Sequence, residues 1–170
     1  MTAMSYRDAI PADAPAIRTL FADSFTRTFG HLYAPADLAA FLAPMTVEAW
    51  QAEIADPAYA FRLAEADGVL AGFVKLGPAT FPVERSGPAI ELRQFYVDAA
   101  YHGSGIAPVL MDWALATARA RSAVEMFLSV YVDNARARRF YTRYGFERIG
   151  RYTFMVGDHA DEDDIMRLTL

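Results

Sequence analysis

The chain has 170 residues, of which 54% are hydrophobic and 22% charged, with a formal net charge of −5. That length holds one sizeable core and is short for two, and the absence of cysteine excludes a disulfide framework, a thiolate nucleophile and a Cys-based zinc site. Net acidity argues against a nucleic-acid binder, and no stretch approaches the roughly 20 apolar residues that cross a bilayer.

The amino terminus, MTAMSYRDAI, lacks a basic leader followed by a long apolar run, so the expected location is the cytoplasm. Residues 5–9 read as a short first strand. Asp13 and Pro15 mark the start of a helix carrying Ile17, Leu20, Phe21 and Phe25 at helical spacing, which Gly30 ends. Two short helices are expected at 36–43 and 46–55, separated by Pro44. Residues 59–65 and 69–76 flank Asp67-Gly68, a hairpin signal. Residues 77–88, rich in Pro and Gly, read as a loop. A strand at 89–97, a helix at 105–121, a β-prone run at 124–132, an Arg-rich helix at 134–143, and strands at 146–156 and 163–169 complete the chain. Asp158, Asp161, Glu162, Asp163 and Asp164 read as a solvated acidic loop between the last two strands. The expectation is a single α/β (α+β) domain over 1–170, one sheet with helices on its faces.

The most informative segment runs from Phe95 through Ala107. A strand ends, a loop carries Gly103 and Gly105, and a helix begins. A helix start leaves backbone N–H groups without intrahelical partners, which suits an anion, above all a phosphate. Glycines there let a pyrophosphate approach the backbone, and His102 offers a further donor. Three readings compete on the residues alone: a bare turn, a nucleoside-triphosphate loop and a dinucleotide fingerprint. The second needs GxxxxGK followed by Ser or Thr, and the third needs GxGxxG; GSGIAP supplies neither.

The segment YHGSGIA resembles the acetyl-CoA signature of the GNAT superfamily of N-acetyltransferases. A second stretch, Asn134 through Phe146 (NARARRFYTRYGF), is similar to that family's other hallmark, Asn-x-x-Ala-x-x-x-Tyr/Phe-Tyr-x-x-x-Gly-Phe. Both motifs occur in the right order, with a helix and a strand between them.

The resemblance implies a central mixed, mostly antiparallel sheet of about seven strands, flanked by helices and splayed between strands 4 and 5. It implies acetyl-CoA as co-substrate and no metal. The pantetheine arm would pair with backbone at Phe95, Tyr96 and Val97, and an N–H near Val97 would polarise the thioester carbonyl. His102, Gly103, Ser104, Gly105, Ile106 and Ala107 would hold the pyrophosphate. Asn134 would face the pantetheine arm, and its alternative role is a helix N-cap, with Asp133 competing. Tyr141 would protonate the leaving thiolate; on periodicity alone it is equally a core aromatic.

The acceptor amine must lose a proton before it attacks, since alkylamines are protonated at neutral pH. Glu91 is the candidate base, because simple alternation puts it on one face with Arg93, Phe95 and Val97. Pairing with Arg93 or Arg62 is its structural alternative. The segment from Phe25 to Phe41 would wall the acceptor pocket, with Phe29, His31, Tyr33 and Asp37 as candidates and Arg93 as the group for an acceptor carboxylate. The carboxy-terminal stretch loosely resembles the polyamine (spermidine and spermine) acetyltransferases. The expected function is acetyl transfer to a primary amine of a small molecule in a ternary complex, polyamines included. The alternatives are an amino-acid analogue, antibiotic or peptide amino terminus as acceptor, and a non-catalytic acyl-CoA-binding regulatory module. No nucleic acid or membrane is expected as partner; a homodimer through an exposed strand edge is.

Overall fold

The computed structural model describes residues 2–170. Chain order is β1 (Met4–Asp8), α1 (Ala14–Phe29), α2 (Pro35–Leu42), α3 (Val47–Ala55), β2 (Ala60–Ala66), β3 (Val69–Pro78), β4 (Ala89–Val97), α4 (Ile106–Ala120), β5 (Glu125–Tyr131), α5 (Ala135–Arg143), β6 (Glu147–Val156) and β7 (His159–Thr169). The strands form one sheet in the order β1-β2-β3-β4-β5-β7-β6. Every pairing is antiparallel except β4 with β5, which is parallel. The expected mixed, seven-stranded sheet flanked by helices is therefore what forms.

Helix starts follow local chemistry. The Thr46 side chain accepts from Ala49 N at 3.1 Å, and Asn134 accepts from Ala137 N at 3.3 Å, so each supplies an acceptor to an otherwise unpaired first-turn amide. Asn134, not Asp133, is the cap of α5. Asp13 precedes α1 but does not cap it; its carboxylate accepts from Ile10 N and holds Arg7 through two oxygens at 2.8 Å. The Arg7 guanidinium holds that carboxyl below its ordinary range.

Each face of the sheet has its own apolar layer. Ile17, Phe21, Trp50, Leu63 and Phe73 pack under α1 and α3. Val74, Leu76, Leu110, Met111, Met126 and Leu128 pack under α4, with Tyr141 and Phe146 at the end of that layer. Phe73 and Val74, adjacent on β3, enter opposite layers, as the period of two requires.

Two expectations fail here. First, β4 does not alternate simply. Its register on β3 shifts between Lys75↔Gln94 and Leu76↔Leu92, leaving Arg93 as an extra residue in a β-bulge. The bulge moves the second half of the strand by one position. Ile90 and Leu92 share the α4 layer with Phe95 and Val97, while Tyr96 packs with the α1 layer. Glu91 therefore does not share a face with Phe95 and Val97.

Second, the acidic segment is not a loop. Gly157-Asp158 is a two-residue turn and β7 resumes at His159. Asp161, Asp163 and Asp164 lie within the strand and are 6%, 6% and 1% exposed, so they are interior carboxylates and not solvated ones. Of the two carboxy-terminal strands, the one at a sheet edge is accordingly β6, since β7 lies between β5 and β6.

The β6–β7 turn is docked on α2. Asp158 N donates to Asp37 Oδ1 at 2.9 Å. Gly157 has φ +56°, and a Cβ there would lie 2.5 Å from Asp37 Cα. Gly157→Ala is expected to push the turn off α2, costing about 1–3 kcal/mol of stability. It should weaken a ligand of the cavity that β7 lines more than a ligand of the cavity beside it, both described next. Thermal unfolding and the two dissociation constants check this; equal weakening of both ligands would contradict it.

Candidate active site

The site follows from the way β4 and β5 part. They pair only over Ala89–Glu91 with Glu125–Phe127. Beyond that point β4 stays on β3 as far as Val97, and β5 stays on β7 as far as Tyr131. The facing edges of the two strands carry no ladder, and α5 lies over the opening. Two cavities of about 580 and 470 Å³ meet there, sharing Phe29, Phe95, Tyr96, Asn134, Ala137 and Tyr141 as common wall.

The larger cavity runs from the splay to the start of α4. Val97, His102, Gly103, Gly105, Ile106 and Ala107 line it, with Arg27, Arg136, Arg139 and Arg143 around it. Gly103 and Gly105 have φ of +80° and +87°, and a Cβ built at either meets no protein atom within 4 Å. What demands glycine is thus the left-handed backbone, which aims the first amides of α4 outward. Ser104 Oγ is turned to the Tyr101 carbonyl at 2.6 Å and does not line the cavity. His102 Nε2 lies 3.0 Å from the Val97 carbonyl, and Arg136 Nη1 lies 2.6 Å from His102 Nδ1. A guanidinium only donates, so Nδ1 accepts and Nε2–H donates to Val97. The histidine joins the strand end to the arginine.

These residues fit coenzyme A. Outward amides and four arginines suit phosphates, and the unpaired β4 and β5 edges suit the amides of a pantetheine arm.

The smaller cavity lies on the other side of the shared wall. Phe25, Phe29, Tyr33, Phe41, Tyr131 and Phe154 supply an aromatic lining, and Glu53, Lys75, Glu91, Arg93, Asp161 and Asp163 supply charge. Lys75 is buried, ion-paired with Glu53 and seated 5.0 Å from the Trp50 ring centroid. Burial pushes its pKa down, against the opposing pull of Glu53. Glu91 Oε2 accepts from Thr80 N at 2.9 Å and Thr80 Oγ1 at 3.0 Å, and its Oε1 faces Arg93 at 3.7 Å. Arg62 pairs with Asp8 instead. The Tyr33 hydroxyl donates to Asp161, and His159 Nε2 lies 3.2 Å from the same carboxylate.

Tyr141 is 8% exposed and borders both cavities. Desolvation pushes its pKa well above the ordinary tyrosine value, so the phenol keeps its proton at neutral pH. Asn134 lines both cavities as well, while its Oδ1 caps α5; the two roles coexist.

Of the residues singled out from sequence, the structure gathers Phe95, Tyr96, Val97, His102, Gly103, Gly105, Ile106, Ala107, Asn134 and Tyr141 around the larger cavity. It places Phe29, Tyr33, Glu91 and Arg93 around the smaller one. His31 is exposed in the 3-10 turn Gly30–Leu32 and lines neither. Lys75, Gln94 and Ser129 also line the smaller cavity and were not singled out, and Asp161 and Asp163, expected in a solvated acidic loop, line it as well. The Gly157-Asp158 pair between two β-prone segments was the available signal for the aspartates, since such a pair restarts a strand at once.

Residues 15–146 match the model of the Acetyltransferase (GNAT) family. An uncharacterised N-acetyltransferase of Mycobacterium tuberculosis is 33% identical over 155 residues, which span 91% of this chain and 96% of that protein. The PaiA N-acetyltransferase of Thermoplasma acidophilum, solved in complex with coenzyme A, superposes with a TM-score of 0.79 at 20% identity over 99% of both chains. The acetyltransferase YncA of Salmonella typhimurium, solved with its cofactor acetyl-CoA, superposes with a TM-score of 0.68 at 23% identity, covering 99% of this chain and 94% of that one.

Proposed function

The chain belongs to the GNAT family of acetyltransferases and is an N-acetyltransferase that uses acetyl-CoA, and from that premise we propose that its acceptor is a small primary amine that enters as a cation. The observation that carries this is the charge of the smaller cavity. Glu53 is paired with Lys75 and Glu91 faces Arg93, while no lysine or arginine reaches Asp161 or Asp163 among the described residues. The uncompensated charge is negative and lies within aromatic walls, which together favour an ammonium.

In this reading the two substrates meet at the shared wall in a ternary complex. Acetyl-CoA supplies the thioester. The protein aligns it along the open edge of β4, where a strand N–H near Val97 polarises the carbonyl. The amine nitrogen attacks the carbonyl carbon, the C–S bond breaks, and the Tyr141 hydroxyl gives the sulfur a proton. The reading also includes a cytoplasmic setting and pairing of two copies along the free edge of β6.

Spermidine is the informative probe. Its kcat/KM is expected to exceed that of a neutral-tailed monoamine of similar length by about tenfold at low ionic strength, and the advantage should shrink as salt screens the field of the net negative chain. No advantage at low salt removes the polyamine. Turnover of an amino-acid analogue in its place would move the reading to an acceptor whose carboxylate Arg93 holds.

A further inference from the structure

We propose that Asp163, and not Glu91, takes the proton from the acceptor ammonium; this rests on the acetyl-transfer reading above. The carboxylates around the splay differ in what already engages them. Glu91 accepts two hydrogen bonds from Thr80 on one oxygen and faces Arg93 with the other. Both of its oxygens are therefore already engaged by the protein. Asp161 accepts from the Tyr33 hydroxyl and neighbours His159. Asp164 is outside the cavity, held by Arg138, Arg148 and Arg151 at 2.6–3.3 Å. Asp163 alone lines the cavity, is 6% exposed, and has no cationic partner among the described residues. The Ser129 side chain lies within its reach.

Burial and the neighbouring carboxylates oppose the charge of Asp163, while the Ser129 side chain favours it. Asp161 and Asp164 flank it on β7, Ser129 and Tyr131 face it from β5, Tyr96 from β4, and Tyr33 from the segment after α1. Desolvation, with the two neighbouring carboxylates, pushes its pKa up to about 6. The same burial lowers the pKa of an ammonium drawn in beside it, so the two approach each other and transfer becomes feasible. Gln94 Oε1 and Trp50 Nε1 are buried without a hydrogen-bond partner among the described residues, and both residues line this cavity.

The protons balance as follows. The ammonium gives its first proton to Asp163 and becomes a neutral amine. That nitrogen forms the C–N bond to the thioester carbon as the C–S bond breaks. The second nitrogen proton makes good the one Tyr141 gives to sulfur. Asp163 then releases its proton to solvent, one per turnover.

The test compares wild type, Asp163→Asn and Glu91→Gln with acetyl-CoA and spermidine over about pH 6–10. Asp163→Asn is expected to lose about 10²–10⁴-fold in kcat/KM at pH 7, and the deficit should narrow as pH approaches the amine's own pKa. Acetyl-CoA affinity should be unchanged. Because the folded-state pKa is raised, ionised Asp163 destabilises the fold increasingly as pH climbs from about 4 through 6. Asp163→Asn should therefore raise Tm at pH 8 and not at pH 4, an outcome that a merely structural aspartate would reverse. A deficit constant with pH, or one carried by Glu91→Gln instead, overturns the assignment. So does a 13C titration in which the Asp163 carboxyl of the free enzyme ionises in the ordinary range near 4. Wild-type enzyme that binds acetyl-CoA yet acetylates no amine overturns the transfer reading itself, while that titration judges Asp163 independently.

Discussion

Replacing Tyr141 by phenylalanine is expected to lower kcat by about 10²–10⁴-fold while acetyl-CoA binds with nearly unchanged affinity. The substitution removes one oxygen from a ring already packed among Phe140 and Phe146, so neither the fold nor the wall of the larger cavity should move. What it removes is a proton beside the splay. Burial keeps that proton on the phenol at neutral pH, so a hydrogen-bond donor is in place to meet the charge that develops on the departing sulfur. Rapid-quench single-turnover rates, measured beside a direct acetyl-CoA titration, separate the chemical step from binding. Equal single-turnover rates in the two proteins would return Tyr141 to a packing role at the end of the α4 layer.

The second large effect is expected at the start of α4. Gly105→Val asks a β-branched residue to hold φ near +87°, a region such residues essentially avoid. No neighbouring atom blocks the side chain, so the strain is relieved by turning the backbone. That swings the amides of Ile106 and Ala107 away from the cavity. Acetyl-CoA affinity should fall by about 10–100-fold, which corresponds to about 1.4–2.8 kcal/mol, and Tm should drop only by a few degrees. A folded variant with unaltered affinity would detach the glycine loop from the phosphates.

Much of this molecule could be read along the chain. The glycine loop and the Asn134–Phe146 stretch carry their geometry locally: left-handed residues, a cap at Asn134, and tyrosines at helical spacing. Asp67-Gly68 declared its hairpin in the same way, with φ of 49° and 81°. What escaped depends on distant partners. The bulge at Arg93 leaves no mark in the β4 sequence, because it is a relation between β4 and β3. Asp161 looked solvated because its hydroxyl partner, Tyr33, is 128 positions away. Nothing local marks Lys75 as interior, yet it is buried among Trp50, Tyr59 and Phe61, rings contributed by α3, by β2 and by the residue just before β2. Charge read from sequence carries no information about desolvation, and the two aspartates of the smaller cavity are where that matters most.

The short seam between β4 and β5 has a thermodynamic consequence. Three residue pairs join β1-β2-β3-β4 to β5-β7-β6 within the sheet; α4, α5 and side-chain packing must do the rest. Whatever amides fill the open edges act as a missing strand and bind the folded chain alone. The two halves of the sheet are then mechanically joined in proportion to the occupancy of that gap. At a hundred times its dissociation constant, such a ligand adds about 2.7 kcal/mol to the resistance to unfolding. That is a sizeable share of the total for a domain of this size. The protein's lifetime against unfolding therefore becomes a readout of the local acyl-CoA concentration, coupled to the same gap through which it does its chemistry.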